Sequence, residues 1–442
     1  LLNGFGPFVI DMYLPALPEM THVFKTSASV IQLGLTFCMG GLAVGQVLLG
    51  PVSDRFGRKA VLLFSLFLYL SATVGCLCSE SIWVFTFFRF LEGIGAAGGI
   101  VLSRSVATDL YHGRQLAKII AFISAINGLA PIAAPLSGGL VAQIVGWRGI
   151  FLILLSLGIC LTLGSLFFRE SLPPDRRSGA GWKNVLKGFG DILREKGFIP
   201  ASLAYACSIS AIFCYISAAP FIIQQEYNLS GVQFSLIFAF NALVIACGSI
   251  LSVKFSSVEK SLKFGALLAF FGAGCCLLLY FLSQSLLAYL VPVALMLFGL
   301  GFVFPSSTTL AMEKGRKYAG IASSVVGGLG YLAGGLAAPL VGIGDIKLAS
   351  FSWSFVFLLA GLLLIFFCDH RKTTLDRFRD KALKEKSRLG ESGIFLYLNF
   401  FKMTLRFLPQ AHPSCRILHT AKCRPGTESP AAMPASTGKE HP

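Results

Sequence analysis

Gly50-Pro51-Val52-Ser53-Asp54-Arg55-Phe56-Gly57-Arg58-Lys59 separates two apolar runs, 31–51 and 60–79. Each run is about the ~20 residues a helix needs to cross a hydrocarbon core. The pattern predicts two membrane helices joined by a charged turn at one membrane face. Gly50 and Pro51 are expected to end the first helix, and Gly57 to permit the turn. Asp54 is expected to serve exposed N–H groups at a neighbouring helix N-terminus, and the basic residues to anchor the loop.

The same alternation extends over most of the chain. Twelve spans are expected, at about 1–18, 31–51, 60–79, 82–103, 116–144, 149–168, 198–222, 232–254, 262–282, 286–311, 318–343 and 350–368. Composition agrees: charged residues are only 13% of the 442, against ~25% in soluble domains, and hydrophobic residues are 55%. A soluble core cannot hide that much apolar surface. A soluble enzyme, a disordered chain, a coiled coil and a disulfide scaffold are therefore excluded. The runs are continuous rather than alternating, which argues against a transmembrane barrel. The fold class is all-α integral membrane. The first residue, Leu1, already lies inside the first span, so a missing start is expected, and no cleavable signal peptide is visible.

The net charge of +16 does not mark a nucleic-acid binder, because 14 of the 37 Lys/Arg lie in the tail 369–442 and most others sit in short loops. Loops after the even-numbered spans, with the span ends that border them, hold nineteen Lys/Arg, and loops after the odd-numbered ones three. The positive-inside rule then puts both termini in the cytoplasm. Ten of the twelve Cys lie in or beside apolar runs, where thiols act as small hydrophobes.

The longest loop, 169–197, divides the spans six and six. The expected organisation is a first half at 1–168, a cytoplasmic linker at 169–197, a second half at 198–368 and a basic cytoplasmic tail at 369–442. The halves look related: Ala133-Ala134-Pro135-Leu136 returns as Ala337-Ala338-Pro339-Leu340, and Pro7-Phe8-Val9-Ile10-Asp11 as Pro220-Phe221-Ile222-Ile223-Gln224. Duplicated halves around a cavity are a transporter layout.

Three charges fall inside spans: Asp11, Arg89 and Glu92. A charge at such depth costs at least ~2.5–3.5 kcal/mol on insertion scales and needs a partner or a purpose. Arg89 and Glu92, three apart, share a helix face and read either as a buried structural pair or as part of a proton-coupling site. Arg keeps its proton, so the titrating group is Asp11 or Glu92. Asp11 stands about seven residues from the outer end of its span, ~10 Å deep at 1.5 Å per residue. The matching second-half positions are Gln224, Val293 and Met296, which places the coupling chemistry in the first half.

The decapeptide at 50–59 resembles the G-x-x-x-D-R-x-G-R-[KR] signature of the major facilitator superfamily. Arg89-Phe90-Leu91-Glu92-Gly93-Ile94-Gly95 resembles its span 4 motif. The stretch 128–139, with Gly128, Pro131, Pro135, Gly138 and Gly139, resembles the span 5 motif of its antiporters. Asp11-Met12-Tyr13-Leu14-Pro15-Ala16-Leu17-Pro18 is similar to the span 1 motif of the Bcr/CflA drug:proton antiporters. The resemblance covers 1–368 and implies twelve helices in two halves. It further implies export of drugs and related amphiphiles in exchange for protons across a bacterial inner membrane. No cofactor is implied beyond the proton gradient, and a monomer is expected.

By resemblance, Asp11 is the proton-coupled acid and Arg89 its electrostatic partner. Gly50, Asp54, Arg55, Gly57, Arg58 and Lys59 form a cytoplasmic gate, and the span 5 motif is a hinge or seal. Tyr13 and Gln224 are candidate cavity residues. A dedicated metabolite exporter on the same fold, or a membrane receptor without transport, remain alternatives. An ATP-driven pump does not fit, since no G-x-x-x-x-G-K-[ST] loop occurs. In the tail, His412, Cys415, His419 and Cys423 match no zinc spacing well, and the apolar patch 394–408 is expected on the membrane surface.

Overall fold

Helix caps and prolines set the element boundaries. A computed structural model describes residues 2–386 apart from 112, 174, 176, 178–181, 196, 317 and 318. The expectations for 391–442, including the His/Cys cluster and the apolar patch, lie outside the described residues. The chain begins with two short helices, α1 (Phe5–Asp11) and α2 (Leu17–Val23). There follow α3 (Ala28–Phe56), α4 (Arg58–Leu77), α5 (Ile82–Leu110), α6 (Gly113–Val145) and α7 (Trp147–Leu166). After α8 (Trp182–Leu193) come α9 (Phe198–Phe221), α10 (Gly231–Ser252), α11 (Val258–Leu282), α12 (Leu286–Lys314), α13 (Ala319–Ala337) and α14 (Ile346–Lys386). Ser side chains cap α3, α10, α11 and α12 by accepting from backbone N–H groups of the first turn. Residues Leu1–His370 make up one compact unit.

Among the described residues eleven helices are long and apolar enough to cross a membrane, and none is a strand. The first expected span is the exception. Residues 2–23 are two 3-10 turns and two short helices, because Pro15 and Pro18 remove the N–H donors that would carry α1 onward. Two other expectations change. Pro51 does not end α3, which continues to Phe56 and stops at Gly57, whose φ of +98° only glycine adopts readily. The 169–197 segment is not wholly loop: α8 forms within it. Its apolar spacing at 182, 185, 186, 189, 192 and 193 is that of a one-faced helix.

The helices before 169 pack mainly among themselves. α3 lies on α5, α4 on α5 and α7, and α1 on α5 and α6. Those after 197 do likewise, with α11 and α10 on α12 and α9 between α12 and α13. The two sets meet along α3–α13 and α6–α10. Glycines allow close approach: the backbone of Phe90 and Ile94 lies where Cβ atoms at Gly41 and Gly45 would stand.

Hydrogen bonds between the sets gather at the end where α3 and α10 begin. Gln32 Nε2 donates to the Ser217 carbonyl at 3.0 Å and Thr36 Oγ1 to that of Gly335 at 2.7 Å. Ser29 Oγ reaches the Pro339 carbonyl at 3.0 Å, and Gln224 Nε2 reaches that of Pro15 at 3.0 Å. At this same end the buried Lys347 ammonium donates to Tyr227 Oη at 2.8 Å and Gln284 Oε1 at 2.9 Å, and pairs with Glu226. The opposite end parts around a cavity.

Candidate functional site: an intramembrane ion pair, an unpaired carboxylate and a cavity

Asp11 is the last residue of α1 and is buried, 7% exposed. Among the described residues no cation pairs with it. The expected Asp11–Arg89 pair is therefore not formed. Arg89, wholly buried on α5, donates through Nη1 to Glu92 Oε2 at 2.7 Å and through Nη2 to the Val9 carbonyl at 2.9 Å. Its guanidinium lies 4.4 Å from the Tyr13 ring centroid and 5.7 Å from that of Phe151, a cation–π arrangement on two rings. Glu92 also accepts from Thr73 Oγ1 at 3.3 Å and contacts Cys76 Sγ at 3.7 Å. Arg89 thus grips the backbone two residues before Asp11 and neutralises Glu92, leaving Asp11 as the uncompensated acid. The matching second-half positions, Val293 and Met296, are plain apolar core.

The span 5 motif shows why its small residues matter. The Met12 carbonyl lies where a Cβ on Gly138 would stand, and the Ser235 hydroxyl and Gly231 carbonyl where one on Gly139 would. Ser235 Oγ donates to the Pro135 carbonyl at 2.7 Å. One face of α6 therefore touches both the break just beyond Asp11 and the second set of helices. Gly128 meets nothing within 4 Å, and Pro131 lies within α6 without breaking it.

At the other end Arg58 is the hub. Its Nη1 reaches Asp54 Oδ1 and Ser53 Oγ, each at 2.6 Å, and its Nε donates to Asp109 Oδ2 at 2.9 Å. Asp54 therefore holds Arg58 here rather than a helix N-terminus. That task falls to Glu170, which accepts from the N–H groups of Arg58 at 2.9 Å and Lys59 at 3.2 Å, the first residues of α4. Burial pushes the Glu170 carboxyl up. Donation from the backbone of Leu172, Arg58 and Lys59, with Arg177 nearby, outweighs this and leaves the group below its ordinary value. Gly57 is favoured beside it by its φ of +98°, and a Cβ there would also displace the tips of the Glu170 and Arg177 side chains. Lys59 Nζ donates to the Leu166 carbonyl at 2.7 Å, and Arg55 lies over the Phe56 ring.

A cavity of about 690 Å³ lies between the two sets. Gly50, Asp54, Arg58 and Arg104 line it from the first, and Tyr205, Phe213, Met312 and Tyr331 from the second. That volume is within the ~300–1,000 Å³ of small-molecule sites. Tyr13 and Gln224 are not among its lining residues: Tyr13 is buried beneath Arg89, and Gln224 bonds at the closed end. Tyr331 stands within electrostatic reach of both Asp11 and Arg104. Glu170, Asp109, Arg104, Tyr205 and Tyr331 received no role from the sequence. The acids and Arg104 sit at helix ends with ordinary loop charges, and a lone Tyr in an apolar run carries no signal.

Comparison with known proteins agrees with this architecture. The family profile described as Major Facilitator Superfamily matches residues 1–339. The chain is 35% identical over 351 residues to the "Uncharacterized MFS-type transporter YdgK" of Bacillus subtilis (strain 168), covering 78% of this chain and 87% of the relative. It is 26% identical to the "Bicyclomycin resistance protein homolog" of Haemophilus influenzae, covering 77% and 87%. It is also 26% identical to "Multidrug resistance protein D" of Escherichia coli (strain K12), covering 77% and 86%. Among solved structures, a bacterial homolog of the human lysosomal transporter Spinster, inward-facing and unoccupied, superposes with a TM-score of 0.65 at 19% identity, covering 84% of this chain and 94% of that one. A D-xylose-proton symporter does so with 0.62 at 17%, covering 83% and 95%. By the span of the profile match and the level of identity, this chain belongs to the major facilitator superfamily, whose members are membrane transporters and not enzymes.

Proposed function

We propose that the chain is a proton-driven exporter of small amphiphilic compounds, taking them from the cytoplasm in exchange for protons. The carrying observation is Asp11: a buried carboxylate at a helix break, without an ion partner among the described residues and within electrostatic reach of Tyr331, which lines the cavity. An unpaired acid at membrane depth is a functional feature, since insertion makes it costly to keep without a purpose. The drug-resistance names of the bicyclomycin and multidrug relatives support the substrate class.

In this reading the loops after the even-numbered spans are cytoplasmic, so the cavity faces inward and the Gln32–Ser217 end is the closed outer gate. The halves 1–168 and 198–368 rock about α3–α13 and α6–α10. Asp11 exchanges its proton as the cavity changes sides, while Arg89 holds α1 in register. The chain works as a monomer without a cofactor, and the proton gradient supplies the drive. Both termini lie in the cytoplasm.

The test is efflux of a drug panel from cells, or uptake into inverted vesicles, with and without a protonophore, for the natural chain and Asp11→Asn at equal membrane abundance. Protonophore-sensitive efflux, lost in Asp11→Asn, is the expected result. Full uphill export by Asp11→Asn moves the coupling role to Glu92.

A further inference from the structure

Among the described residues three charged side chains line the cavity: Asp54, Arg58 and Arg104. Two are spoken for, because Arg58 is held by Asp54 and Asp109. Arg104 is different. It is exposed to the cavity from α5, and among the described residues no carboxylate pairs with it. Its guanidinium is within electrostatic reach of the Tyr205 and Tyr331 hydroxyls on the facing helices. Tyr205 is held in place by the Phe304 ring at 6.1 Å, and Gly330 makes room for it, since a Cβ there would crowd its ring. Both tyrosines line the cavity with Arg104, and none of the three carries a negative charge at neutral pH.

Beside this polar group the wall is mixed, with Gln46, Ser105 and Thr308 among apolar residues that include Ile209, Phe213 and Ile321. A flat guanidinium fork matches a planar or tetrahedral oxyanion better than any neutral group. We infer that Arg104 is a specificity residue, and that the cavity selects amphiphiles whose polar head is an oxyanion, a carboxylate or sulfonate, with an aromatic or aliphatic body on the Ile209–Phe213 side. The inference rests on the exporter reading and names its substrate class. Sending an anion out while a proton enters moves charge down an inside-negative membrane potential, so this class suits the proposed exchange.

The test is equilibrium binding to the full chain in lipid nanodiscs, with empty nanodiscs as the blank. The probes are 1-anilinonaphthalene-8-sulfonate and its uncharged analogue N-phenyl-1-naphthylamine, which share a ring system. The sulfonate is expected to bind more tightly, with an affinity that falls as salt rises. Arg104→Gln should weaken it about tenfold, the loss of one charge-assisted contact. The neutral probe should change by less than about twofold, which reports that the cavity is intact. Arg104→Lys should recover part of the sulfonate affinity. Sulfonate binding no better than to empty discs, no preference for it over the neutral probe, or an unchanged sulfonate affinity in Arg104→Gln would each overturn the inference. No gradient is applied, so a failure of proton-driven efflux is scored separately from these results.

Discussion

Arg89 and Glu92 form an ion pair in which both side chains are fully buried and 2.7 Å apart, while Asp11, two residues beyond the Val9 carbonyl that Arg89 also holds, has no such partner among the described residues. The pair answers the burial problem for two of the three intramembrane charges and leaves the third without an ion partner among the described residues. Removing one member strands the other in a dry core, at a cost of about 3–5 kcal/mol. Glu92→Ala and Arg89→Ala should each unfold at clearly lower temperature in detergent. A double apolar replacement, Arg89→Met with Glu92→Met, should recover most of the loss. Arg89→Lys should keep a charge but lose the bidentate geometry that spans Glu92 and Val9, cutting export severalfold. Unchanged export and pH dependence in Arg89→Lys would reduce Arg89 to a generic counter-charge.

Asp54 presents a different case. Its side chain is 47% exposed, so its pair with Arg58 contributes about 1 kcal/mol or less to stability. Asp54→Asn should therefore leave thermal stability almost unchanged, while turnover slows severalfold and substrate affinity does not fall. Parallel binding and transport measurements check this. A large affinity loss with normal turnover would remove Asp54 from the gate.

Two glycines of the same motif should behave oppositely. Gly138→Ala drives a methyl into the Met12 carbonyl and should cost about 1–3 kcal/mol together with most transport. Gly128→Ala meets open space and should be neutral or stabilising by up to about 1 kcal/mol, as alanine is the better helix former. Unfolding midpoints and efflux of the two variants decide the matter, and equal tolerance at both positions would contradict the close approach.

Glu170 acts as the cap that α4 lacks from its own Gly57. Glu170→Gln should cost about 1 kcal/mol, a typical capping loss. Because the carboxyl is held below its ordinary value, its contribution is complete above the usual carboxylate range and is lost as pH falls through the lowered value. The stability gap between the natural chain and Glu170→Gln should be full at pH 7 and close under acid conditions. A gap that persists at strongly acid pH would mean the residue acts by shape alone.

The apolar runs, the charged turn at 50–59 and the three intramembrane charges were legible in the chain, because a bilayer demands long apolar helices and penalises every charge within them. Gly57 and Pro135 stood out for their backbone properties, and Gly138 only through the resemblance of 128–139 to the antiporter motif. Pairing was not legible. The family resemblance put Arg89 beside Asp11 in role, but an arginine's partner depends on which helix faces it across the packed bundle, and α5 turned Arg89 onto Glu92 and Val9. Asp54 looked like a helix cap, yet Glu170, 113 positions after Gly57, lies against that turn and takes the N–H groups. The first span read as one helix, since hydropathy is blind to the break that Pro15 and Pro18 impose. The cavity and Arg104's solitude within it exist only where helices distant in sequence converge. Local composition determined what crosses the membrane, and tertiary packing decided which charges meet and which one stays free.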